Sequence, residues 1–217
     1  IQADTINPSA SSNPTLTIRN SMIYNCSSIG ISGRGSWIEA SNCVFANCGD
    51  YCGALTLGGN YNFKHCTFGN YAPNSIEKSA LVLNNWFEDN NRNIISRDLE
   101  SANFTNCIIY GSQENEITLS KSDDGIFNYK FRNCLIKVKT SDIDTKTSEF
   151  INCSVNKSPD FVDFNLHNLN IKESSAAKDL GEIDEVNDDI INLEFDLNNN
   201  SRTDDGKPDA GAYEFVP

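Results

Sequence analysis

Asn103-Phe104-Thr105-Asn106-Cys107-Ile108-Ile109 and Tyr129-Lys130-Phe131-Arg132-Asn133-Cys134-Leu135-Ile136 carry one pattern at two places, and Asn62-Phe63-Lys64-His65-Cys66-Thr67-Phe68 carries it a third time with His in place of Asn. The kernel, a polar residue and then cysteine opening a short apolar run, occurs six times: Asn25-Cys26, Asn42-Cys43, His65-Cys66, Asn106-Cys107, Asn133-Cys134 and Asn152-Cys153. A unit repeated in this way occupies an equivalent place in each copy of one structural module.

A second string fixes the period. Ala54-Leu55-Thr56-Leu57, Ala80-Leu81-Val82-Leu83 and Glu116-Ile117-Thr118-Leu119 each precede one of the longer copies. The middle copy fits if residues 86–101 form a loop inserted between two strands; with that loop removed, successive cysteines lie 17 to 27 residues apart. Each apolar run is short, alternating and bounded by Gly, Asn or Ser, which is strand-like, and nothing between the runs has the period of a useful amphipathic helix. A leucine-rich repeat needs a leucine framework that is missing, and a β-sandwich has no reason to repeat Asn-Cys. The expectation is an all-β parallel β-helix whose coils pair with the coils above and below.

The 217 residues suffice for one elongated domain, with 38% hydrophobic and 10% aromatic residues to build a core. Runs such as Asn84-Asn85 and Asn90-Asn91 suit tight corners, because Asn tolerates left-handed backbone. A net charge of −13 argues against nucleic acid, which needs a basic stripe to displace counterions. No run of eighteen apolar residues is present.

Eight cysteines invite a disulfide framework, but six share a repeat position. Stacked at the strand spacing of about 4.8 Å and pointing the same way, Cys26, Cys43, Cys66, Cys107, Cys134 and Cys153 are expected to form one buried ladder of unbridged thiols. Cys48 and Cys52 fall outside it, either as a local bridge or as free thiols. Without a second pair or a nearby histidine they make an incomplete zinc site.

After residue 157 the character changes. Ser158-Pro159-Asp160-Phe161-Val162-Asp163, Ser175-Ala176-Ala177-Lys178-Asp179-Leu180-Gly181 and the terminal Asp196-Leu197-Asn198-Asn199-Asn200-Ser201-Arg202 with Asp209-Ala210-Gly211-Ala212-Tyr213-Glu214 follow. These strings resemble the closing segment of bacterial right-handed parallel β-helix surface proteins, with "DPxFVD", "SPAxDxG" and "DLDGNxR…DxGAYE" turns. Ala176-Ala177 stands where that pattern has Pro-Ala, and Asn198-Asn199-Asn200 where it has Asp-Gly-Asn. The resemblance implies a right-handed, pectate-lyase-like solenoid over residues 1–157 and an irregular cap over 158–217 packed on the last coil. It also implies an extracellular, outer-membrane setting, with a polysaccharide or an outer-membrane protein as partner. The absence of an N-terminal cap before Leu16 leads to the expectation that this is the C-terminal part of a longer chain, lipid-anchored through its missing start.

Three chemistries are weighed on the residues. Asp196, Asn198 and Asn200 place oxygens at positions 1, 3 and 5 of a calcium-type loop, although Lys207 stands at position 12 and Ser201 at position 6. The alternative is a turn in which Arg202 pairs with a nearby acid and Tyr213 packs on the last coil; no other cofactor is expected. A polysaccharide lyase or glycoside hydrolase needs paired carboxyls or a base beside the scissile bond. Asp123-Asp124 has no histidine near it in sequence, and His65 stands in the repeat, so the chain is expected to be non-catalytic unless missing coils complete a site. For binding, the inserted loop carries Trp86, Phe87, Glu88, Asp89 and Arg92, with Tyr61 and Tyr71 expected near coil corners on the same side. Aromatic faces stack on sugar rings and the polar groups take hydroxyls. The alternative is that Trp86 and Phe87 fold down to cover the sheet. A rigid subunit of a surface assembly is a third reading.

Overall fold

The computed structural model describes residues 1–5, 12–71, 78–183 and 193–217. The chain enters through β1 (Gln2–Asp4), β2 (Leu16–Tyr24), β3 (Ile29–Ala46), β4 (Tyr51–Lys64), β5 (Thr67–Asn70) and β6 (Leu81–Asn84). A hairpin of β7 (Trp86–Glu88) and β8 (Ile94–Ser96) follows, and then β9 (Leu99–Thr105), β10 (Ile108–Gly111), β11 (Ile117–Ser120), β12 (Lys130–Arg132), β13 (Leu135–Ile136), β14 (Phe150–Ile151) and β15 (Ser154–Val155). Every pairing among these outside the hairpin is parallel. The result is a parallel β-helix with three flanks. The first stacks β1, the starts of β3 and β4, β6 and β11. The second stacks the start of β2, the middle of β3, the end of β4, β9, β12 and β14. The third stacks the ends of β2 and β3 with β5, β10, β13 and β15.

The corner between the second and third flanks explains the repeated pair. Asn20, Asn42, His65, Asn106, Asn133 and Asn152 all hold left-handed backbone there, with φ between 48° and 54°. The residue that follows turns inward. The thiol of Cys43 donates to the Ser41 carbonyl at 3.1 Å, and Cys66, Cys107 and Cys134 repeat the bond to Lys64, Thr105 and Arg132. The left-handed residue therefore supplies the turn, and the inward thiol adds a bond to a carbonyl that, at Thr105 and Arg132, also accepts the backbone N–H of the preceding coil. Burial pushes the thiols of Cys66, Cys107 and Cys134 far up, so they are inert framework.

The first rung corrects the sequence reading. Ser21, not Cys26, pairs with Cys43. Asn25-Cys26 lies one corner further on, where Asn25 (φ 56°) and Asn47 (φ 50°) turn together and Gly49 N bonds the Cys26 carbonyl at 2.9 Å. Cys26 therefore stacks with Cys48, and the Cys48 thiol repeats the bond two residues back, to Ala46. All eight cysteines are free thiols; the buried Cys48 and Cys52 thiols donate to the Ala46 and Gly69 carbonyls.

Inside, Phe63, Phe104, Phe131 and Phe150 stack along the second flank with centroids 4.9–5.3 Å apart and near-parallel rings. Phe45 and Phe68 pack against the head of the stack. Each buried ring contributes about 1.5–3 kcal/mol by removing apolar area from water.

The inserted segment is shorter than 86–101. Leu99, fully buried, already belongs to β9 and pairs with Gly59, so the departure from the coil is the hairpin over 86–96 and its two-residue return. The C-terminal segment also departs from expectation. It lies along the outside of the third flank instead of closing the last coil. Phe161, Leu169, Ile171, Ala177, Ala210 and Ala212 bury Val44, Ala46, Ile108 and Leu135, the outward residues of that flank. Tyr213 reaches Met22 in the first coil, 3.2 Å from its sulfur, and Gly211 N bonds the Asn106 carbonyl at 2.8 Å. Alternating apolar residues on both faces of the third flank require such a cover.

Asn133 gives a direct test of the corner. Its amide nitrogen is buried without a partner, so its contribution is conformational. Asn133→Ala is expected to cost about 1–2 kcal/mol because an L side chain resists left-handed backbone, whereas Asn133→Gly costs about 0.5 kcal/mol. Urea denaturation gives the order, and a glycine variant less stable than the alanine variant would contradict the assignment.

Candidate functional site

The corner between the first and second flanks carries the β7–β8 hairpin, so its geometry sets what the solenoid presents there. At this corner Gly35 lies beside Thr5, Leu57 and Arg97, the Gly58 backbone packs on Asp98, and Arg34 pairs with Asp4 and Thr56 just before the turn. Leu57 (φ 57°) and Gly58 (φ 69°) are left-handed, and a Cβ on Gly58 would lie 2.3 Å from the Asp98 carbonyl. This tight stacking lets the arginine side chains of separate coils share one surface.

The hairpin leaves at Asn85, which is fully buried. Its amide bonds Ser122 in both directions, and its carbonyl accepts Arg97 N at 2.8 Å, so both ends of the hairpin are pinned. Asp89 holds the tip by accepting from Asn91 N, Asn93 N and the Asn93 amide. Those bonds keep its carboxyl below the usual range. Side chains alternate along a strand, and the two aromatic residues accordingly take different roles. Trp86 folds down, its indole N–H donating to Ser120 Oγ at 3.0 Å. Phe87 faces the corner, with the Arg34 guanidinium 5.2 Å from its ring centroid.

Phe87, Arg34, Leu57, Arg97, Asp4 and Thr5 line a cavity of about 270 Å³. Arg97 Nη1 donates to the Thr5 carbonyl at 3.4 Å, and Asp4 Oδ2 accepts the Gln2 amide at 2.7 Å. Glu88, Arg92 and the apolar Ile94 and Ile95 are exposed on the hairpin around it.

Of the residues expected to bind, Phe87 alone lines this cavity. Tyr61 is fully buried in the core, where its hydroxyl donates to the Gly58 carbonyl at 2.8 Å and burial raises its pKa to about 12. Tyr71 stacks on Phe164 of the C-terminal segment at 4.3 Å, on a different flank. Sequence reasoning missed Arg34, Leu57 and Arg97. Their one signal in the sequence is a similar distance to the corner cysteine, nine residues before Cys43 and Cys66 and ten before Cys107.

Asp196 accepts four hydrogen bonds, from Asn198 N, Asn200 N, the Asn200 amide and Glu214 N. The Asn198 amide turns away to Asn170. The three side chains thus organise a turn whose Arg202 pairs with Glu214, as the alternative had it, although Tyr213 packs on the third flank. Asp123 and Asp124 are exposed in a turn, with Asp123 3.3 Å from Lys121.

A second cleft, of about 550 Å³, lies at the last coils between Phe127, Tyr129, Asp142, Ile143 and Glu149. No helix among the described residues is long and apolar enough to cross a membrane. A family model described as "Right handed beta helix region" matches residues 5–136. No curated protein and no solved structure matches the chain.

Proposed function

Because this chain belongs to the right-handed β-helix family, we propose that it is a non-catalytic carbohydrate-binding module working outside the cell, with the hairpin corner as its binding site. The observation that carries this reading is the hairpin itself. The coil does not need it, yet it is pinned at both ends and turns Phe87 toward a pocket that also holds two arginines. Long excursions from a rigid scaffold are where binding residues concentrate. An aromatic face with polar groups around it suits a pyranose ring.

A glycan array tests it. Wild type is expected to bind at least one glycan class, and Phe87→Ala to weaken that binding about tenfold, equivalent to about 1.4 kcal/mol. Phe87 is the residue to change, since Trp86→Ala would unpin the hairpin. Absence of binding by wild type across the array would overturn the reading. A second reading, docking of a protein partner in a surface assembly, is favoured by one patch: Val162, Phe164 and Leu166 are exposed together on the C-terminal segment, Leu166 at 76%. Silence on the array together with loss of a co-purifying protein in Leu166→Asp would favour that reading instead.

A further inference from the structure

The chain carries 30 acidic and 17 basic residues. Lys78, Lys121, Lys139, Lys172 and Arg202 each pair with a carboxylate. Arg34 and Arg97 are among those that do not: among the described residues neither guanidinium has a carboxylate partner, and the two stand at one pocket. The acids nearest in chain or register are otherwise engaged. Asp4, the cross-strand neighbour of Arg34, holds the Gln2 amide, and Asp98, next to Arg97, accepts Ile126 N at 2.8 Å. Glu88 is exposed at the end of β7. Two guanidiniums therefore face a cavity whose apolar wall is Phe87 and Leu57 and whose one carboxylate, Asp4, is held by the neutral Gln2 amide, which leaves the lining with a net positive charge.

A guanidinium presents a planar fork of donors that matches a carboxylate or sulfate bidentately, and its stacking on an aromatic face preserves that fork while holding it in place. The long-range field of a chain with net charge −13 repels polyanions, so an anionic ligand has to be recognised at short range by unneutralised donors. We propose that the hairpin-corner pocket is a subsite for an anionic sugar, a pyranose bearing a carboxylate or a sulfate ester, whose charge pairs with Arg34 and Arg97 while its ring lies against Phe87 and Leu57. This rests on the carbohydrate reading above and adds the ligand's charge to it. The second oxygen of Asp4 is available to a sugar hydroxyl.

The experiment uses four probes in two matched pairs: oligogalacturonate with its methyl ester, and dextran sulfate with dextran. Binding to the full chain is measured by titration calorimetry at low and moderate salt. The charged member of at least one pair is expected to bind about tenfold or more tightly than its neutral partner, with the preference shrinking as salt screens the charges. The pair that responds separates carboxylate from sulfate recognition. Arg34→Gln and Arg97→Gln should each weaken binding about tenfold, and the double variant should erase the preference for charge, while Arg19→Gln, on the exposed start of β2, leaves it intact. Because Arg97 also bonds Thr5, each variant's melting temperature is recorded beside its affinity, and Arg34→Lys, which keeps charge but loses the fork, should fall between wild type and Arg34→Gln. Equal binding of charged and neutral members, or a preference that survives in a folded double variant, overturns the charge assignment and leaves the carbohydrate reading standing. Failure of all four probes to bind overturns the anionic subsite, and the carbohydrate reading falls with it only if the glycan array is silent as well.

Discussion

At pH 9, where Glu214 is ionised, Arg202→Ala lowers the stability of the folded chain by about 3–5 kcal/mol, the cost of leaving a buried charge without its partner. Arg202 is fully buried between the C-terminal segment and the solenoid. It pairs with Glu214 through Nη1 and donates from Nη2 to the Asn42 side-chain oxygen at 2.8 Å. Asn42 is a corner residue of the ladder, so one guanidinium joins the tail to the repeat. Glu214 in turn accepts from Asp209 N, and Asp196 and Asp209 are buried close by. Without Arg202, three carboxyls share a pocket that holds no cation to offset them.

The pH dependence follows from the same burial. Burial outweighs the attraction of Arg202 and pushes Glu214 up to about 8, and burial also raises Asp209 and Glu116. A carboxyl raised in the folded state binds its proton more tightly there than in the unfolded chain. Its contribution to stability is full below the unfolded range of about 4 and is lost as pH climbs through the folded value. His65 acts oppositely. Burial depresses its pKa, so its contribution is present above about 6.5 and is lost as pH falls. The melting temperature is therefore expected to decline from near neutrality toward pH 9, and Arg202→Ala to be costlier at pH 9, where Glu214 is ionised, than at pH 5. Melts of both proteins across that range check this, and a penalty independent of pH would contradict the assignment of charge to Glu214. The double change Arg202→Met with Glu214→Met should recover most of the loss, since it removes both charges.

Phe104→Ala is expected to cost a further, separate 3–5 kcal/mol or so. Phe104 is the middle of the aromatic stack, with Phe63 at 5.2 Å on one side and Phe131 at 4.9 Å on the other, and Phe68 edge-on at 6.1 Å. Interior rings locked between neighbours in adjacent coils leave a cavity that the parallel ladders cannot collapse to fill. Phe150, stacked on one side only, should cost less when truncated. Guanidinium denaturation gives the order, and equal losses at 104 and 150 would mean that the stack is not the spine of the core. The Phe63 and Phe104 losses should be non-additive because the rings touch.

What the sequence made legible followed from repetition. Six copies of one short string, five opening on Asn and one on His65, gave the coil and its parallel stacking before any coordinate. The error at Cys26 shows the limit of a local motif. Asn25-Cys26 and Asn42-Cys43 are locally alike, yet they sit at successive corners, because Asn20-Ser21 fills the first rung with a smaller hydroxyl. The tail was harder. It has no period, so nothing in its residues showed that it runs back along the third flank to Met22; that path follows from the apolar outward residues Val44, Ile108 and Leu135, which demand a cover. The pocket was least legible. Arg34 and Arg97 are 63 positions apart and meet through the register of two intervening ladders and a hairpin that folds back. Tyr61, expected near a coil corner, stands just past Gly58, Gly59 and Asn60, but β4 continues through them and turns the ring inward.

The measurement that bears most directly on the functional reading is chemical-shift mapping of the isotope-labelled chain titrated with whichever of the four sugar probes binds. The hairpin-corner site predicts that the largest perturbations gather at Arg34, Leu57, Phe87 and Arg97, with the hairpin backbone moving beside them. Perturbations centred on the Phe127 and Tyr129 cleft, or on the exposed Phe164 and Leu166 patch, would contradict it.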